Sequence, residues 1–250
     1  MAQQQIISEQ DKAQLKRTFR KDLKADVNLH LFTQEPSPLT IPGRECPTCP
    51  QTRQLMEELA GLSPKLRLET IDFYHEAELV KEFGVARIPA IVLDADGSNR
   101  ITFYGNPVGY ELAALVEDIK TISRGVSPLS METRKQLRKV NQPVHIQVFV
   151  TPSDTDCPGV ARLAHAIALE CPQVTAGVVE VQEFPSLAQN YAVRSVPFTV
   201  INEYTKVSGP MSEPQMLQHV LAAGVAAVSK ADPFLGEGGP DPARIKSEEN

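Results

Sequence analysis

Two cysteines separated by two residues, Cys46-Pro-Thr-Cys49, are the side chains of this 250-residue sequence whose type and spacing most directly spell a reaction. Thiols at this spacing can close a small disulfide ring where a loop gives way to a helix, and the ring can open again, which makes a reversible redox couple. A first cysteine at a helix N-terminus lies beside unpaired backbone N–H groups and the positive end of the helix dipole, both of which favour thiolate over thiol. Cys46 is therefore the candidate nucleophile, and Cys49, facing inward, the candidate resolving thiol. Pro47 and Pro50 suit a first turn, where no intrahelical bond is lost, and they stiffen the loop. The same spelling is half of a zinc site, but Cys157 and Cys171 are not paired at that spacing and no histidine clusters with them, so no metal is expected. A structural role for two core cysteines is the other minor reading; Glu45, Pro47, Thr48 and Pro50 describe an exposed turn instead.

The elements that must hold this loop are found through an internal repeat. Leu79–Asp94, LVKEFGVARIPAIVLD, reads without a gap against Leu187–Asn202, LAQNYAVRSVPFTVIN. Pro89 and Pro197 stand 108 positions apart, and the same offset carries Cys49 onto Cys157 and Cys46 onto Asp154. A cysteine and a proline in one register point to duplication. Each half then gives one order of elements. A capped helix comes first, after Ser8 and after Ser130. An alternating strand follows, with apolar Val27, Leu29 and Leu31 in one half and Val144, Ile146, Val148 and Val150 in the other. The cysteine-bearing loop and a helix come next, near Cys49–Leu62 and Cys157–Glu170. A second strand (Leu66–Asp72; Val174–Val181), a short helix, two strands after the prolines and a last helix (Glu111–Ile122; Glu213–Val228) complete each unit. Such an order predicts an α/β fold with a mixed central sheet flanked by helices in each unit. Ser123–Pro128 is the expected boundary, giving units at 1–125 and 126–230 and a glycine- and proline-rich mobile tail at 231–250.

Composition narrows the function classes. A net charge of −6 argues against general affinity for nucleic acid, and the basic stretch Lys12–Lys24, interleaved with Leu15, Phe19 and Leu23, reads as a solvated helix face. No apolar run reaches the roughly 18–20 residues that span a bilayer, so no membrane partner is expected. No secretory signal is legible at the start, and a cytoplasmic location is the expectation. The histidines spell no metal motif: His30 and His145 fall on strands, His165 and His219 on helices, and His75 near a helix start.

The C-P-x-C loop followed by Arg87-Ile88-Pro89 before a strand resembles the thioredoxin and glutaredoxin superfamily. Two such units in one chain, with Val150-Thr-Pro ahead of the second loop, resemble the protein disulfide oxidoreductases, or glutaredoxin-like proteins, of archaea and some bacteria; the N-terminal domain of the alkyl hydroperoxide reductase flavoprotein is similar in plan. The resemblance covers about residues 8–229. It implies two tandem thioredoxin-like units and a thiol–disulfide oxidoreductase serving cell redox homeostasis. It also implies a cis Pro89 facing the cysteines, with the Ile88 backbone pairing to an extended substrate alongside Pro47 and Thr48, and Val196-Pro197 as the counterpart. The implied partners are disulfide-containing proteins and, as electron donor, a thioredoxin-reductase-like flavoprotein; the exchange itself needs no cofactor.

The second unit departs from that pattern. Its loop is Asp154-Thr-Asp-Cys157, and a carboxylate cannot start thiol exchange. Asp154 is expected to cap the helix, Cys157 to be an inert core thiol, and Cys171 to be structural. Alternatives remain: a redox-inactive peptide-binding adaptor, an isomerase or oxidase built on the same dithiol, and an iron–sulfur site through Cys46.

Overall fold

The computed structural model describes residues 5–35, 42–94, 97–98 and 100–225. The first unit runs α1 (Glu9–Asp22), β1 (Val27–Thr33), α2 (Cys49–Ala60), β2 (Leu66–Asp72), α3 (Ala77–Glu82), β3 (Ala90–Asp94), β4 (Ile101–Tyr104) and α4 (Tyr110–Arg124). The second repeats it as α5 (Met131–Leu137), β5 (Val144–Val150), α6 (Cys157–Glu170), β6 (Val174–Glu180), α7 (Pro185–Asn190), β7 (Phe198–Ile201), β8 (Thr205–Ser208) and α8 (Glu213–Gly224). Ser8 and Ser130 cap as their positions suggest, their hydroxyls accepting from the N–H groups of Asp11 and Thr133. The connection from β1 to α2 spans 34–48, whereas its counterpart spans only 151–156, so the repeat offset holds from the cysteine loop to the proline strand and shifts before it.

The two sheets fuse. Strand order is β2-β1-β3-β4-β6-β5-β7-β8, with β4 and β6 pairing in parallel in the register Ile101↔Ala176 to Tyr104↔Val179. Alternation along the strands then feeds two cores. On one face Leu29, Leu31 and Ile146 pack with Leu55 and Met56 of α2, Ile119 of α4 and Ile167 of α6. On the other, Phe32, Val92, Phe149 and Val200 meet side chains of α3 and α7, and the residues Phe83 and Tyr191 that end those helices. Between the units α4 lies against α6, where His165 Nδ1 and Asp118 Oδ2 pair at 2.6 Å, both side chains buried.

Ser123, expected in the linker, instead lies within the last turn of α4, and its hydroxyl donates to Ala25 O while accepting from Lys24 and Ala25 N–H. The helix is closed by Gly125, whose φ of 64° suits a residue without Cβ. The tail 231–250, and the part of the last expected helix beyond 225, lie outside the described residues. No helix among those described is long and apolar enough to cross a membrane.

Candidate active site

Register places the functional loops together. Phe32 near the end of β1 stands opposite Ala90 at the start of β3, and Tyr104 ending β4 stands opposite both Ala90 and Val179. The cysteine loop after β1 and the proline turn before β3 therefore lie at one end of the sheet. Phe149 facing Phe198 puts the second pair of loops along the same edge. Loops at strand carboxyl ends are where open α/β sheets present their chemistry.

A disulfide joins Cys46 and Cys49, with Cα atoms 5.3 Å apart. Cys46 is half-buried and Pro47 exposed, while Cys49 is buried. The helix begins at Cys49, where the sequence places it, and Cys46 sits about one turn ahead: Thr48 is the cap position, its carbonyl accepting from Thr52 N–H at 2.9 Å. Cys46 O accepts from Cys49 N–H at 3.3 Å, which closes the turn. Pro50, at the start of α2, sits where a missing N–H costs no helical bond.

Ile88-Pro89 is cis, and so is Val196-Pro197. Pro89 O accepts from Gly105 N–H at 2.9 Å, and Pro197 O from Gly209 N–H at 2.8 Å, so each proline turn is tied to the strand beside it. Ile88 is half-buried and Pro89 buried. Ahead of them the Arg87 guanidinium lies over the Tyr104 ring, 4.8 Å from its centroid, and toward Phe184 of the second unit at 5.8 Å.

Each unit also reaches into the cysteine loop of the other. Gly109 and Tyr110 at the start of α4 abut Pro152, whose carbonyl accepts from Tyr110 N–H at 3.1 Å. In return Glu183, after β6, accepts from the Thr48 hydroxyl through Oε2 and from Asn106 N–H at 2.6 Å through Oε1. Sequence reasoning misses Glu183, because an acid in Gln-Glu-Phe-Pro reads as an ordinary solvated turn. A signal lies in the strand ahead of that turn, which is buried on nearly every residue.

At the second loop Asp154 Oδ1 accepts from Asp156 and Cys157 N–H at 2.9 and 3.0 Å. Partial burial raises its pKa, but these bonds prevail and hold the carboxyl below its usual range. The Cys157 thiol is fully buried; desolvation foremost, with Asp154 and Glu111 adding repulsion, pushes it up to about 12. Cys171 is buried as well, its thiol 3.7 Å from Leu137 O. Glu111 is 0% exposed, with neither carboxylate oxygen hydrogen-bonded; burial first, then Asp118, Asp154 and Glu180, drive it up to about 7. Among the described residues no group of three or more His, Cys, Asp or Glu side chains is gathered to hold a metal.

The arrangement supplies one redox-capable pair, a closed C-x-x-C with one cysteine half-buried and the other buried, and one loop without a nucleophile. A family model described as "Thioredoxin domain" matches residues 39–117 and again 144–222. A protein disulfide oxidoreductase from Aeropyrum pernix is 30% identical, with a TM-score of 0.78 over 88% of this chain and 96% of that one. The NTD_N/C domain of alkylhydroperoxide reductase AhpF from Enterococcus faecalis is 25% identical, with a TM-score of 0.75 over 86% and 99%. Among curated proteins, an NADH dehydrogenase of Bacillus subtilis is 23% identical over 84% of this chain. The F component of alkyl hydroperoxide reductase from Staphylococcus aureus is 22% identical over 61%. The chain spans only 39% and 27% of the lengths of those two relatives.

Proposed function

The chain belongs to the thioredoxin-domain family in both of its units, and on that footing we propose that it reduces disulfides in other proteins through Cys46 and Cys49. The observation that carries this reading is the closed Cys46–Cys49 pair with unequal burial, set at the strand edge beside a cis-proline turn. In the dithiol state the Cys46 thiolate attacks one sulfur of the substrate disulfide, forming a mixed disulfide and releasing the other substrate sulfur as a thiolate that takes a proton. Cys49, deprotonated in turn, attacks Cys46 Sγ; the substrate's second sulfur leaves and the intramolecular disulfide is restored. Two electrons have passed to the substrate.

Roles follow from position. Pro47, Thr48 and the backbone of Ile88 before Pro89 form the surface against which an extended substrate segment lies. The second unit, with Asp154 in place of a nucleophile, supports that surface; Asp154, Cys157, Val196 and Pro197 keep the shape of a site without its chemistry. A thioredoxin-reductase-like flavoprotein returns electrons to Cys46–Cys49, and the reaction belongs to the reducing cytoplasm. No cofactor is required by the exchange.

The test is turnover of a protein disulfide such as insulin with dithiothreitol as electron source. Cys46→Ser is expected to abolish turnover, and Cys49→Ser to accumulate a mixed disulfide at Cys46. Unchanged turnover in Cys46→Ser would end this reading. The retained Val196-Pro197 turn favours a second reading, a peptide-binding adaptor; a partner held equally by wild type and the Cys46→Ser, Cys49→Ser variant would support it.

A further inference from the structure

Glu183 occupies a position that its own unit does not explain. It belongs to the turn after β6, yet its carboxylate is spent on the first unit, taking the Thr48 hydroxyl inside the cysteine ring and the Asn106 N–H. Three features build this position. The pairing of Tyr104 with Val179 brings the ends of β4 and β6 side by side. Glu180 Oε2 accepts from Glu183 N–H at 2.7 Å and fixes the turn. Gly105 leaves the space: a Cβ there would stand 2.8 Å from Glu180 Cβ and 3.2 Å from Glu183 Oε1.

We infer that Glu183 is a positioning residue of the dithiol site: anchored in the second unit, it holds the Thr48 hydroxyl and sets a negative charge beside the turn that carries Cys46, favouring disulfide over thiolate. The inference rests on the exchange reaction proposed above. Two effects act in the same direction. A thiolate at Cys46 would add negative charge near an existing carboxylate, and the Thr48 hydroxyl hydrogen, donated to Glu183, is not free to stabilise a thiolate. The other charged groups around the site are distributed differently. Glu45 accepts from Gly43 N–H at 2.8 Å, Arg44 lies over Tyr74, Glu180 shares the turn with Glu183, and Arg87 lies over Tyr104 and toward Phe184. The second unit, though it has lost its own nucleophile, thereby sets the thiol–disulfide balance of the first.

The equilibrium to be measured is balanced with dithiothreitol: the dithiol gives two electrons and becomes its cyclic disulfide, while the Cys46–Cys49 bond opens to Cys49 thiol and Cys46 thiol or thiolate. In the full chain, the pH midpoint of Cys46 alkylation and this equilibrium constant are compared for wild type, Glu183→Gln, Glu183→Ala and Glu183→Asp, with melting temperature as the folding control. Removing the charge in Gln or Ala is expected to lower the alkylation midpoint and shift the equilibrium about fivefold toward the dithiol. Fivefold corresponds to about 20 mV for a two-electron couple. Glu183→Asp, which keeps the charge, is expected to move back toward wild type. Midpoints and equilibrium unchanged in both Gln and Ala, with only the melting temperature lowered, would overturn the inference and leave Glu183 a structural contact. A wild type without any reversible couple would instead remove the exchange reaction itself.

Discussion

Replacing Glu111 by glutamine should make the protein more stable at alkaline pH and leave it nearly unaffected in acid. Glu111 occupies the second position of α4, wholly enclosed, with neither oxygen hydrogen-bonded and with Asp118, Asp154 and Glu180 as electrostatic neighbours. Desolvation and those like charges carry its pKa from 4.5 to about 7. Well below pH 4.5 the residue is protonated in folded and unfolded chains alike, and stability bears no penalty. Between 4.5 and 7 the unfolded chain ionises while the folded one keeps its proton, so stability declines by roughly 1.4 kcal/mol per pH unit and levels off above 7. Over this window the loss amounts to about 3 kcal/mol. Glutamine cannot ionise, and subtracting its profile from that of wild type cancels titrations that do not sense Glu111. Urea unfolding of both oxidised proteins at about pH 4 and about pH 8.5, on either side of that window, reads the difference. A stability gap that is the same at both pH values, or a glutamine variant less stable than wild type at the alkaline one, would refute the reasoning.

Three further expectations follow from other parts of the molecule. Asp118→Ala removes the buried hydrogen-bond partner of His165 Nδ1 and should destabilise by about 1–3 kcal/mol in the same urea assay, because a buried ring nitrogen is left unpaired; a loss under about 0.5 kcal/mol would show the pair to be dispensable. After reduction, Cys46 should alkylate in the native protein at about pH 8 while Cys157 and Cys171 react only once denaturant is added; prompt labelling of Cys157 by mass spectrometry would contradict a thiol raised to about 12 by burial. Gly109→Ala would put a Cβ 2.6 Å from Pro152 O at a φ of 59°, so a cost of about 1–3 kcal/mol is expected, and an unchanged melting temperature would argue against close docking of α4 on the second loop.

The order of elements is legible because each is announced locally: Ser8 and Ser130 as caps, alternation in Val27–Thr33 and Val144–Val150, and cysteine and proline in one register. What joins the units is not, since pairing between distant strands is set by burial on both sides and not by any local signal. The trace lies in the contrast between corresponding strands. Ile101-Thr-Phe-Tyr104 is buried throughout and takes β6 as a neighbour, whereas Thr205-Lys-Val-Ser208 is half-exposed and ends the sheet. The cysteine loop is legible down to the start of α2 at Cys49, with Cys46 in the turn ahead of it. Glu111 and Glu183 do not stand out from other acids in the sequence, because their burial or reach depends on the β4–β6 junction, which is marked only by strands buried on nearly every residue.

The most direct test of the exchange chemistry is a redox titration of the full chain in glutathione and dithiothreitol buffers, with Cys46 and Cys49 followed by alkylation and mass spectrometry. A single reversible two-electron transition confined to that pair is expected, near the value of about −270 mV found for thioredoxin. A pair that shows no reversible transition, or one in which Cys157 exchanges in place of Cys46, would contradict the assignment of Cys46 and Cys49 as the working dithiol.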